Sequence, residues 1–147
     1  YFAEANVNIN QPALLIASSA AHETAHYLGV AREDEANFVS YLACTYSLDA
    51  SVRYSGTMLA LINCANQLYA SDAELYRRLV SEYYSEGMLR DLRDYNAYWD
   101  SFEGPIEEAV DSMNDNYLKF NKQENGVKSY GMMVDLLLAY YAKGSAQ

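Results

Sequence analysis

The chain carries two histidines, His22 and His26, and both lie in one pentapeptide, His22-Glu23-Thr24-Ala25-His26. This is H-E-x-x-H. Residues four apart on a helix share a face, so both imidazoles can reach one metal ion. Glu23 lies between them in sequence and can take a proton from a water at that ion. Two histidines and a carboxylate base in this spacing are the ligand pair and general base of zinc-dependent peptide hydrolysis.

A third ligand is needed, and Glu33 follows His26 by seven residues. On one straight helix it would lie roughly 10 Å along the axis from His26, too far for metal–ligand bonds of about 2 Å. The chain must therefore turn, and Gly29 is the residue that can end a helix in the left-handed conformation without steric cost. A new helix starting near Ala31 then carries Glu33 in its first turn. Glu35 is the rival ligand, about 200° around the same helix from Glu33, so the two cannot share one ion. The Glu33 face continues through the small or polar Ala36, Asn37 and Ser40, which leave room for a site. The Glu35 face continues through Phe38, Val39 and Leu42, which reads as core. The pattern favours Glu33 as ligand, with Asn37 one turn on, placed to hydrogen-bond a ligand from behind. The small, apolar flanks (Ala17, Ala20, Ala21, Ala25, Leu28) argue against a freely solvated pair of histidines.

These residues need a scaffold. At 147 residues, 51% of them hydrophobic, the chain is long enough for one domain with a real core. Its net charge of −10, with the few Lys and Arg scattered, excludes a nucleic-acid partner and argues against docking on anionic lipid. Fifteen tyrosines are the compositional oddity. They read mostly as core-edge residues with hydroxyls near water. Cys44 and Cys64 are too few for a disulfide scaffold and read as buried thiols. No apolar run approaches the roughly 20 residues that cross a bilayer. The chain opens at Tyr1 without an initiator Met and reads as a C-terminal piece, residues 1–147, of a longer protein.

The pattern along the chain is nearly all helical. Residues 2–9 and Leu14-Leu15-Ile16 read as short extended runs. Ser18 or Ser19 caps the histidine helix, which Gly29 ends. A second helix runs from about Ala31 to Ser47, and a third, capped by Asp49 or Ser51, to about Ala70. Ser71-Asp72-Ala73-Glu74 is a capping box for a fourth. Gly87 interrupts, and a fifth runs to about Phe102. Gly104-Pro105 opens a sixth. Asn125-Gly126 is a turn, and Ser129 caps a last helix ending near Gly144.

The whole chain resembles the zincin-like bacterial family called domain of unknown function 3810. The stretches that carry the resemblance are Phe2 to Asn8, His22 to His26 with Gly29, and Glu33 to Phe38. They continue with Arg53-Tyr54-Ser55-Gly56, Asn114-Asp115, Tyr117-Leu118-Lys119 and Gly126 to Gly131. The Glu33 to Asn37 segment is also similar to the third-ligand helix of other gluzincins, where Glu-x-x-Ala-Asp or Glu-x-x-Ala-Asn recurs. The resemblance implies a mainly α fold, the helical part of a truncated α+β zincin with a short N-terminal strand remnant. It also implies a membrane-anchored protein whose hydrophobic helices precede an extracytoplasmic domain.

Two functions follow as expectations. The first is a zinc metalloendopeptidase with one Zn2+ per chain on His22, His26 and Glu33, Glu23 as general base, and a peptide or protein substrate. With no third histidine, a tyrosine or arginine must stabilise the oxyanion if a side chain does. Tyr130, after a glycine turn, and Tyr54 with Arg53 are the candidates. The alternative is a non-catalytic zinc-stabilised helical binding module or an inactive peptidase homologue. The intact Glu23 argues against the latter.

Overall fold

A computed structural model describes residues 4–101 and 126–144, with side chains from residue 132 onward in the second segment. Six helices are present there: α1 (Ala13–Tyr27), α2 (Glu33–Thr45), α3 (Ala50–Ser71), α4 (Ala73–Tyr83), α5 (Glu86–Asp100) and α6 (Gly126–Gly144). No strand occurs among the described residues, so the mainly α expectation holds and the strand remnant does not appear in residues 4–9. No helix among the described residues is long and apolar enough to cross a membrane.

The centre is a three-helix contact of α1, α2 and α3, with α6 lying on α2 and α3 and α4 leaning on α3. Small residues make the close approach. Ser18, Ser40 and Ser55 are all buried where the three helices meet. Ser40 Oγ donates to the Ser18 carbonyl at 2.6 Å. Ser55 Oγ accepts from the Ser18 backbone N–H and donates to Ser18 Oγ, at 2.9 and 3.1 Å. Buried hydroxyls are tolerated because each has a partner. Gly56 takes α3 so near α2 that a Cβ there would sit 2.3 Å from Cys44 Cβ. Two apolar clusters flank this node. Leu14 and Leu15 pack with Met58, Ile62 and Tyr95 on one side, and Tyr41 and Ala60 with Met133 and Leu137 on the other. Burial of each large aliphatic side chain contributes about 1.5–3 kcal/mol.

Several expected boundaries move. α1 begins at Ala13, not after Ser18 or Ser19, with Pro12 as its first flanking residue. Leu14-Leu15-Ile16 is therefore helical. A short apolar run has no period that separates strand from helix, and here burial of Leu14 and Leu15 against α3 decides. α5 begins at Glu86 with Ser85 accepting from the Met88 N–H, so the break lies before Gly87, which is inside the first turn. α4 is capped by Asp72, whose carboxylate accepts from the Leu75 N–H, in place of Ser71. α6 starts at Gly126, three residues before Ser129. The expected helix from Gly104-Pro105 lies outside the described residues. Asp49 caps α3 as expected, accepting from Ser51 N–H and Oγ at 2.7 and 2.6 Å. The Ser51 bonds hold its carboxyl below the usual range. Cys44 and Cys64 are free thiols, and burial raises the pKa of both.

Candidate metal centre

α1 closes in a Schellman turn. Gly29, at φ 100°, sends its N–H to the His26 carbonyl, and the Val30 N–H reaches the Ala25 carbonyl, each at 3.0 Å. The turn reverses the chain within five residues and delivers Glu33 as the first residue of α2. The Glu33 carboxylate then lies across both imidazoles. Oε2 is 3.2 Å from His22 Nε2 and Oε1 is 3.3 Å from His26 Nε2. The two Nε2 atoms are 2.9 Å apart, with the rings edge to face. His22 and His26 are 16% and 27% exposed in their side chains and Glu33 is 65% exposed, so the trio sits at the surface with its imidazoles sheltered.

The same turn sets a tautomer. His26 Nδ1 lies 2.7 Å from the Val30 carbonyl. A carbonyl only accepts, so Nδ1 carries the proton, and in a neutral ring Nε2 presents its lone pair to the cluster. His22 Nδ1 is buried and has no partner among the described residues. Two imidazole nitrogens and a carboxylate, facing one another at these distances, are mutually repulsive unless a proton or a cation lies among them. His22, His26 and Glu33 are the group of described residues whose ligand atoms all lie within 4.8 Å of one another.

The start of α2 is held by a pair absent from the sequence reading. Asp34 is 5% exposed and takes two hydrogen bonds from Arg32, Nε to Oδ1 and Nη2 to Oδ2, both at 3.2 Å. Arg32 also donates to Met132 Sδ on α6 at 3.1 Å and lies 3.6 Å from Glu35. Glu35 thus turns to Arg32 while Glu33 turns to the histidines. Three acids in the first turn of α2 are favoured by the helix dipole. An acid at the second helical position with an arginine two residues before it was the available signal. The face reading of α2 is corrected. Ala36 and Ser40 are fully buried against the other helices rather than leaving room for a site, and Val39 is 37% exposed rather than core.

Glu23 follows His22 on α1 and is half-buried. Asn37 is half-buried one turn beyond Glu33 and makes no hydrogen bond to the trio. Tyr54 is not brought to the histidines. It packs with the Leu14–Leu15 cluster, and its hydroxyl donates to Asp91 Oδ2 at 2.7 Å. Leu14 to His22 is eight residues, about 12 Å along α1. Burial and the Asp91 bond push the Tyr54 hydroxyl up to about 12. Arg53 is spent on the Ser47 and Leu48 carbonyls at the start of α3. Tyr130 falls on α6, and its side chain lies outside the described residues.

No curated protein and no solved structure matches the chain. Over residues 1–138 it matches the family described as protein of unknown function (DUF3810), and the chain belongs to that family.

Proposed function

We propose that this domain is a zincin-like, zinc-dependent peptidase of the gluzincin kind, with His22, His26 and Glu33 as metal ligands and Glu23 as the proton carrier. One observation carries the reading: the convergence of two Nε2 atoms and one carboxylate, 2.9, 3.2 and 3.3 Å apart. Ligand atoms at about 2.0–2.1 Å from a tetrahedral ion are separated by about 3.3 Å, so the three donors fit such an ion with little movement. Their chemistry fits too, since two neutral imidazoles and one carboxylate leave a fourth position for substrate or water. Zinc, when bound, supplies a Lewis acid that activates water near neutral pH.

The chain's own residues do the rest. The Val30 carbonyl holds the His26 ring with its Nε2 lone pair inward. Glu23 accepts the proton of the attacking water and delivers it to the leaving amine. The substrate is a peptide or protein, met by a membrane-anchored protein on the outer side of the membrane. A second reading, a non-catalytic helical module stapled by the same ion, is favoured by the lack of any strand among the described residues on which an extended peptide could pair. Unfolded casein, presented to the full chain and to Glu23→Gln, separates the two. The peptidase reading expects hydrolysis by the first and none by the second, with equal zinc in both. Glutamine keeps the shape but cannot take the proton. Zinc without hydrolysis in either protein moves the assignment to the module.

A further inference from the structure

A groove of about 610 Å3 opens between α3, α4 and α5. None of its described walls comes from α1 or α2, so it is separate from the histidine cluster. Its size falls within the roughly 300–1,000 Å3 typical of small-molecule sites. Aliphatic side chains from α3 and α5, among them Leu61, Ile62 and Leu92, line it as an apolar floor, together with Tyr69, Tyr76 and Tyr84. Burial raises the pKa of Tyr76 and Tyr84, as expected of hydroxyls in a partly dried cavity.

The polar atoms of the groove are unusual for this chain. The protein has 20 Asp and Glu against 10 Lys and Arg, yet the described lining holds two arginines, Arg77 and Arg93, and no acid. Neither arginine is ion-paired among the described residues, whereas Arg32 and Arg90 are. A guanidinium only donates. The complement to an apolar trough edged by two exposed guanidiniums without an acid beside them is an apolar chain ending in an acceptor-only anion.

We infer that the α3–α4–α5 groove binds a fatty carboxylate, its chain on the aliphatic floor and its head group taken by Arg77 and Arg93. Guanidinium forks match carboxylates in two-point hydrogen bonds, which favours the carboxylate over a neutral head. The assignment is independent of the metal reading.

Decanoate is the probe, titrated calorimetrically into the full chain, with decan-1-ol as its uncharged counterpart. Saturable one-to-one binding of decanoate, at least tenfold tighter than of the alcohol, is expected. Arg77→Gln with Arg93→Gln should weaken decanoate at least tenfold and leave the alcohol within twofold. Arg78→Gln and Arg90→Gln, outside the groove lining, should leave both ligands unchanged. All four positions are exposed, so the variants keep their helical circular dichroism. Absence of saturation at millimolar decanoate would overturn the proposal. So would equal affinity for acid and alcohol, or equal losses from the two control arginines.

Discussion

At Gly56, α2 and α3 meet without room for a single methyl group, and the three serines at the same crossing are all hydrogen-bonded. Across α3 the opposite holds. α4 has a strongly amphipathic sequence but no buried residue, and the space between it and α5 is a groove. The candidate metal ligands belong to the tight region. They hang from α1 and from the first turn of α2, joined by a hydrogen-bonded turn of positive φ. A metal site needs its donors held to within fractions of an ångström, which a packed node supplies. A groove that must admit a flexible chain needs walls that have not closed on each other.

The largest expected effect tests whether the tight region really positions ligands. Removing a partner behind a metal ligand commonly costs 10–100-fold in affinity, and removing a ligand costs more. His26→Ala and Glu33→Ala should each lower zinc affinity by more than about 100-fold, taking metal analysis from about one zinc per chain to near none. Glu35→Ala should retain zinc, because Glu35 faces Arg32 at 3.6 Å. Zinc lost in Glu35→Ala and kept in Glu33→Ala would reverse the assignment.

The next contrast is in stability. Gly56→Ala forces a methyl to 2.3 Å from Cys44 Cβ and 3.3 Å from the Tyr41 carbonyl. Neither the buried cysteine nor the backbone can yield cheaply. Overpacking of this kind costs about 1–3 kcal/mol, more than the helix-propensity gain of about 1 kcal/mol can offset at its upper end. Ala65→Leu, in the groove wall, enlarges a side chain that meets open space with a residue of helix propensity close to alanine's, and should shift stability by less than about 0.5 kcal/mol. Urea midpoints of the two variants check this. Equal losses would mean the groove is closed in solution.

How far the sequence reveals each region follows from the range of the forces involved. His22, His26, Gly29 and Glu33 were readable because their arrangement is local: a four-residue helical repeat, one residue that tolerates positive φ, and a first-turn acid. Leu14-Leu15-Ile16 was not, since an apolar triplet takes its conformation from what it packs on, here α3. The core face of α2 is hidden from the sequence for a similar reason. Ala36 and Ser40 look like spacers in sequence, yet close helix crossings select such small residues. The Arg32–Asp34 pair and the groove arginines required knowing which side chains lack or find partners across helices. Tyr54 carried a hydroxyl that sequence could place near chemistry, but its partner, Asp91, is 37 residues away.

Tyr54 gives the smallest predicted effect and the one that separates structure from catalysis most directly. Its hydroxyl donates to Asp91, and its pKa in the folded chain is pushed up to about 12, by burial first and the Asp91 bond second. The ordinary tyrosine value is about 10. The folded state therefore holds this proton more tightly than the unfolded chain does. Its contribution to stability is fully present below pH 10 and is lost as pH rises from 10 to 12. Tyr41, Tyr76 and Tyr84 are also raised, burial being the largest cause for each, so the wild-type chain should lose stability on the alkaline side through several groups. Tyr54→Phe should lower stability modestly at pH 8 and make the decline between pH 10 and 12 shallower, by up to about one proton in the slope. Urea midpoints at pH 8, 10 and 11 measure both. Zinc content should be unchanged, because the hydroxyl lies at the far end of α1 from His22. An identical alkaline slope in Tyr54→Phe, together with lost peptide hydrolysis, would return Tyr54 to the role of oxyanion donor.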